Sequence, residues 1–99
     1  MEHNINLNIH YTAPKEVWDK IYEVYKSMPY WAGNPNEVKW IGKDFNLWAS
    51  LEPSGIQIAG TMPDGIWNEW YSKLINKLTE ALGYKIGEPE DGFTFKYWE

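Results

Sequence analysis

The 99-residue sequence contains no cysteine, and this absence excludes several kinds of site. Without cysteine the chain has no disulfide framework, no thiolate nucleophile and no sulfur ligand for a metal. Only two histidines are present, His3 and His10, and the acidic residues lack the alternating ligand spacing of a calcium-binding loop. We therefore expect neither a bound metal nor a cofactor.

Arginine is also absent, because all nine basic residues are lysines. Arginine supplies the planar, bidentate donor group that clamps phosphates and reads guanine. Fourteen acidic residues bring the net charge to −5, which repels a polyanion. A coding sequence rich in A and T would also favour lysine over arginine. Under either explanation we expect no binding to nucleic acid.

Long apolar runs are missing as well. No segment approaches the roughly 18 residues that a membrane-spanning helix requires. The first residues, Met1 to Asn4, lack the basic and apolar segments of a signal peptide. We therefore expect a cytoplasmic protein that makes no contact with a membrane. As part of the leading function hypothesis below, we also expect a bacterial source.

The chain is rich in hydrophobic residues, which make up 43% of it and are enough to build a packed core. No linker, repeat or low-complexity segment divides the sequence, and 99 residues are too few for two cores of useful size. Residues 1–99 are therefore predicted to form a single domain.

Hydrophobic periodicity predicts the elements of the first half. The alternation of Ile5, Leu7, Ile9 and Tyr11 with polar residues is typical of a half-buried strand. Apolar residues at three- and four-residue steps predict a helix over residues 12–28, with Thr12 as its N-cap.

The second half begins with a short strand over residues 38–41 and a hairpin whose arms are residues 45–52 and 56–59. A second helix is expected between an N-cap at Asp64 and a C-cap glycine at Gly83. The remaining residues, from Tyr84, are predicted to form a strand, an acidic turn at Asp91–Gly92 and a last strand over residues 93–98.

This order predicts an α+β fold in the form of a two-layer sandwich. Two helices would pack on one face of a mainly antiparallel sheet of four to six strands, as in the ferredoxin-like βαββαβ arrangement or a close variant. The helices would bury one face of the sheet. The other face would be exposed or would meet a partner.

The parity of each strand assigns a neutral, amide-rich outer face that carries tryptophan side chains. Trp18, Trp67 and Trp70 lie on the helix stripes and are expected in the core, whereas the position of Trp40 is ambiguous. Exposed aromatic rings among polar groups are typical of recognition surfaces. The residues expected to contact a partner or ligand are Asn8, His10, Tyr30, Trp31, Trp48, Ser50, Glu52 and Trp98.

Three functions remain open, and binding to another protein is favoured. An acidic domain of this kind can be steered to a basic partner, in the manner of immunity proteins and antitoxins, or it can associate with itself through the exposed face. A small-ligand or carbohydrate-binding domain using the exposed tryptophans is the first alternative. The second is a hydrolase-like enzyme in which His10, Glu52 and Ser50 share a face, but the sequence lacks a nucleophile motif. No catalytic residue is therefore assigned.

Overall fold

A computed structural model describes residues 2–96. It contains four strands and two α-helices in the order β-α-β-β-β-α, followed by one short 3₁₀ turn. The elements are β1 (Glu2–Leu7), α1 (Lys15–Ser27), β2 (Lys39–Gly42), β3 (Phe45–Glu52), β4 (Gly55–Thr61), α2 (Asp64–Leu82) and the 3₁₀ turn (Pro89–Asp91).

The four strands form one antiparallel sheet in the order β1-β4-β3-β2. This confirms the α+β class with two helices and an antiparallel sheet, whose four strands are the lower end of the predicted four to six. The ferredoxin-like arrangement is matched only as a close variant. Three consecutive strands lie between the helices, and no strand follows α2 within residues 2–96.

Both helices pack on the same face of the sheet, which we call the inner face. Tyr25 of α1 and Trp70 of α2 both contact the ring of Trp40, with centroid separations of 5.3 and 4.9 Å. Trp40 is paired with Leu47, so the two side chains point to the same side, and both are fully buried. The hydrophobic core therefore lies between this face and the two helices.

Trp40, whose position the sequence leaves ambiguous, is at the centre of this core. Its indole Nε1–H donates a hydrogen bond to the backbone carbonyl of Tyr25 at 3.1 Å. Trp70 donates in the same way to the carbonyl of Pro29 at 3.2 Å. The predicted burial of Trp67 and Trp70 is confirmed. Buried indoles need such acceptors, and these bonds fix the end of α1 to both β2 and α2.

The third expected core tryptophan, Trp18, is only half-buried. Its indole donates to the carbonyl of Ala13 at 2.9 Å, and its ring lines a cavity of about 460 Å³ between α1 and the sheet. Leu51 lies in the same cavity and is 49% exposed, although it belongs to the inner face. At this end of β3, the first helix therefore covers the sheet incompletely.

The first strand is shorter than the alternation predicts, because it ends at Leu7. The N–H of Ile9 bonds back to the carbonyl of Leu7 at 2.8 Å, which turns the chain at Asn8. The prediction that Tyr11 lies on the buried side is wrong, because Tyr11 is 53% exposed. Helix α1 also starts later than predicted, with Pro14 and not Thr12 at its N-cap position.

The predicted C-terminal strands are wrong for the residues that the structure describes. Gly83 caps α2 as expected, in a left-handed conformation with φ 78°. Gly92 also has a positive φ, of 97°, but it ends the 3₁₀ turn instead of forming a hairpin. Residues 84–96, which we call the C-terminal tail, bond to Asn8 rather than to a neighbouring strand. The rest of the predicted last strand, residues 97–98, lies outside the described residues.

No helix in the described part of the chain is long and apolar enough to cross a membrane.

Candidate protein-interaction surface

The face of the sheet opposite the helices, which we call the outer face, is not covered by any described element. Pairing within the sheet places three rows of residues across it, one of which consists of Asn6, Gln57 and Ser50. Directly paired residues of an antiparallel sheet point to the same side, so each row forms part of one continuous surface. The central row is Asn4, Ala59, Trp48 and Lys39, and the row at one side of it is Glu2, Thr61, Asn46 and Ile41.

Two large apolar side chains lie next to each other on this surface. Trp48 is 47% exposed and Ile41 is 45% exposed. Lys39 is the direct partner of Trp48, and Ile41 is two residues further along β2, so Ile41 and Trp48 are diagonal neighbours. An exposed tryptophan and an exposed isoleucine at diagonal positions of neighbouring strands form the kind of apolar centre that recognition surfaces carry.

Amide groups surround this apolar pair on the β1 side. The Gln57 side-chain Nε2 donates a hydrogen bond to Asn4 Oδ1 at 2.8 Å across the two strands. Further along the same strands, the Ser54 hydroxyl donates to Asn6 Oδ1 at 3.1 Å. Both bonds are exposed, and each favours one orientation of its amide group beside the apolar pair.

The charges of the outer face leave a negative excess. Lys39 is paired with Glu37, with 3.0 Å between Nζ and Oε1. Glu2 and Glu52 have the strand parity of the outer face, and no ion pair to either carboxylate is present within residues 2–96. With one lysine already neutralised, the face presents two uncompensated carboxylates to an approaching partner.

A shallow cavity of about 390 Å³ lies beside Trp48. It forms because Trp48 is paired with the small residue Ala59, whose methyl group leaves the space next to the indole unfilled. It is lined by Glu2, His3, Asn4, Trp48, Gln57, Ala59 and Gly60. The ring of His3 itself stacks on Trp67 of α2, with a centroid separation of 4.1 Å. The cavity thus combines an aromatic ring, two amides and a carboxylate.

The free edge of β2 is covered by the chain that precedes it. Ala32 donates to the carbonyl of Lys39 at 3.0 Å, and Ile41 donates to the carbonyl of Tyr30 at 3.0 Å. Tyr30 has a φ of 73°, a left-handed conformation that is uncommon outside glycine, asparagine and aspartate. An added strand cannot pair with backbone groups that are already bonded.

The free edge of β1 is partly covered by the C-terminal tail. The carboxylate of Glu88 accepts a hydrogen bond from the backbone N–H of Asn6. Burial, and then the charges of Asp91 and Glu90, raise the pKa of Glu88 above its usual value. Burial and the same acidic tail raise the pKa of Tyr71 to about 12. With the β2 edge bonded to the preceding chain and the β1 edge partly covered by the tail, the outer face is the most open surface of the sheet.

The predicted exposure of Asn8 on the outer face is wrong. Asn8 is fully buried, because the chain turns after Leu7 and points its side chain at the tail. Its Nδ2 donates to the carbonyls of Lys85 at 2.9 Å and Thr94 at 2.7 Å, and its Oδ1 accepts from the N–H of Gly87 at 2.8 Å. These bonds satisfy the amide and fasten the tail to the end of β1.

His10 lies in the turn after β1, beyond the end of the strand, where it lines a cavity of about 530 Å³ with Asn6, Ser54 and part of the tail. Its Nδ1 accepts hydrogen bonds from the hydroxyl of Thr12 at 2.7 Å and the N–H of Thr12 at 3.3 Å. Its ring packs against Tyr11 and Phe95, with centroid separations of 4.5 and 5.8 Å. The strand parity that placed His10 with Ser50 and Glu52 is therefore wrong. No group of three metal-ligating side chains occurs among residues 2–96.

The two loop aromatics occupy different positions. Tyr30 is 48% exposed, with its ring edge-on to Phe45 at 4.7 Å. Trp31 is half-buried and packs edge-on between Tyr22 and Trp40, with centroid separations of 5.8 and 5.9 Å. Both lie at the β2 edge, so neither joins the Trp48 surface as part of one site.

Of the eight residues that the sequence predicts as contacts, the structure therefore brings Trp48, Ser50 and Glu52 together on the outer face. Trp98 lies outside the described residues. Ile41 and Glu2 complete the surface, although sequence reasoning did not select them. The signal for Ile41 was present, because it alternates with the buried Trp40 and so has the parity of the outer face.

Comparison of the chain with protein-family models, with curated proteins and with solved structures finds no match. The geometry and charge of the outer face are therefore the basis for assigning a function.

Proposed function

We propose that this chain is a binding protein that holds a basic protein partner against the outer face of its sheet. The observation that supports this proposal is the exposed pair of Trp48 and Ile41 on a face that no described element covers. Large apolar side chains in such a position gain free energy when a partner removes them from water, at about 25 cal/mol for each Å² buried.

The charge of the face favours a basic partner over a second copy of the chain. Each copy carries a net charge of −5, and Glu2 and Glu52 add negative charge to the outer face itself. Two such faces would repel one another, whereas a lysine- or arginine-rich partner would be attracted and oriented during its approach.

The proposal is tested by photo-crosslinking in the native host. p-Benzoyl-phenylalanine replaces Trp48 in one variant and Lys20, an exposed residue of α1, in the matched control. We expect an adduct with one basic protein from position 48 and none from position 20. Equal yields from both positions, or no adduct at 48, would contradict the proposal.

A second measurement uses the captured protein in purified form. Trp48→Ala is expected to weaken its binding by at least about tenfold, because tryptophans at the centre of an interface commonly contribute this much. Raising the salt concentration is expected to lower the association rate, because a charged partner is steered electrostatically. Sedimentation velocity of the chain alone should show a monomer, and a dimer lost in Trp48→Ala would assign the face to self-association.

A further inference from the structure

We infer that the cavity beside Trp48 is a subsite for an arginine side chain of the basic partner. This inference rests on the proposed function, and it specifies which chemical group of the partner the outer face recognises. The argument depends on three features of the cavity, namely its aromatic ring, its hydrogen-bond acceptors and its charge.

The aromatic component is Trp48. Its indole lines the cavity and stays 47% exposed, because its strand neighbour Ala59 is too small to cover it. Tryptophan is the best aromatic partner for a cation placed over its ring. Guanidinium is planar and more weakly hydrated than ammonium, so it stacks on such a ring at a lower desolvation cost than lysine.

The acceptors lie on the neighbouring strands. Gln57 uses its Nε2 to donate to Asn4, which leaves its Oε1 without a donor among the described residues. Asn4 Oδ1 accepts that one bond and retains a second lone pair. The donors of a guanidinium group need several acceptors near one plane, and two amide oxygens at the cavity meet this need.

The charge comes from Glu2. Glu2 lines the cavity and no lysine does. The other ionisable residue of the lining, His3, stacks its ring on Trp67 of α2 at 4.1 Å. No ion pair to Glu2 is formed by the rest of residues 2–96. The carboxylate of Glu37, by contrast, is already paired with Lys39. A cationic group in the cavity would therefore compensate a charge that the described part of the chain leaves unpaired.

The test uses N-acetyl-arginine-N-methylamide and its uncharged analogue, in which citrulline replaces arginine. Binding is followed through the ¹H–¹⁵N signal of the Trp48 indole. This signal is assigned to Trp48 because it is missing from the spectrum of the Trp48→Phe variant. We expect a saturable shift with a dissociation constant on the order of 1 mM, as suits a ligand of this size. The citrulline analogue should bind at least about fivefold more weakly, because it lacks the charge.

Two variants locate the interaction. Glu2→Gln is expected to weaken arginine binding about two- to fivefold. Its matched control is Glu16→Gln, which removes the same charge from the first turn of α1 and should leave binding unchanged. Both positions are exposed, so neither substitution is expected to disturb the core.

Equal binding of the arginine and citrulline compounds would overturn the inference, and so would equal effects of the two glutamine variants. A shift of the Trp48 signal by an oligosaccharide, with none by the arginine compound, would assign the cavity to a sugar instead. Crosslinking at position 48 without arginine binding would leave the proposed function standing and remove only this subsite. Arginine binding without crosslinking at position 48 would leave the arginine-binding cavity standing and remove the proposed function of holding a basic protein.

Discussion

Replacing Asn8 by alanine should destabilise the fold more than any other substitution of a polar side chain in the first strand region. Asn8 is fully buried and makes three side-chain hydrogen bonds, two to carbonyls and one from an N–H of the C-terminal tail. Of the three partners, Gly87 is buried, whereas the carbonyls of Lys85 and Thr94 belong to exposed residues that water can reach. At about 1 kcal/mol for a lost bond, and less where water replaces it, we expect a loss of about 2 kcal/mol in the free energy of unfolding.

The assay is urea denaturation followed by tryptophan fluorescence, because Trp40 and Trp70 report on the core. The matched control is Asn6→Ala, since Asn6 accepts one hydrogen bond from the exposed Ser54, and its loss should cost less than about 0.5 kcal/mol. Hydrogen exchange of residues 84–96 is measured alongside, because the tail can open before the whole domain unfolds. An Asn8→Ala protein with the stability and tail exchange of the wild type would refute the reasoning.

The other predictions concern the packing of the sheet and the charge of the tail. Gly60→Ala should lower the free energy of unfolding by at least about 2 kcal/mol, because Gly60 has φ 138° and an added Cβ would collide with the backbone of β3. Gly65→Ala should raise it by about 0.4–1 kcal/mol, because a Cβ at this position in α2 meets open space. Thermal denaturation checks both. Trp40→Ala should cost about 3–5 kcal/mol and Trp48→Ala less than about 1 kcal/mol in urea denaturation, because the first ring is fully buried and the second is half exposed. Burial and the neighbouring acidic side chains raise the pKa of Glu88. The folded protein therefore binds the proton of the Glu88 carboxyl more tightly than the unfolded chain does. The stability that results is present at low pH and is lost as the pH rises through the raised pKa. Glu88→Gln should therefore lose less stability than the wild type between about pH 4 and about pH 7, and equal losses would contradict this account.

The regular elements were predictable because their patterns are local. The arm over residues 45–52 coincides with β3, since its alternation separates buried Phe45 and Leu47 from exposed Asn46 and Trp48. The exposure of Trp48 follows from the same parity. The helices were predictable from their apolar stripes, and the left-handed Gly83 marks the end of α2 as expected.

The errors arose where contacts between distant residues override a local pattern. Asn8 continues the alternation of β1, yet it bonds to residues 77, 79 and 86 positions away, which no local pattern reveals. The sequence of the tail alternates like that of a strand, but the carbonyls of Lys85 and Thr94 and the N–H of Gly87 bond to this asparagine instead of to a neighbouring strand. Similarly, Trp31 is half-buried because its ring packs against Tyr22 and Trp40, which contact it only in the folded chain. The Trp48 surface was partly predictable, but its cavity depends on the pairing of Trp48 with Ala59.

The central claim is that the surface around Trp48 binds a basic protein. The most direct measurement is a titration of the ¹⁵N-labelled chain with the protein captured at position 48, followed through its indole N–H signals. The account predicts that the Trp48 signal shifts and saturates with the partner, while the signals of the buried Trp40 and Trp70 stay in place. A titration that leaves Trp48 unchanged while other indole signals move would contradict it.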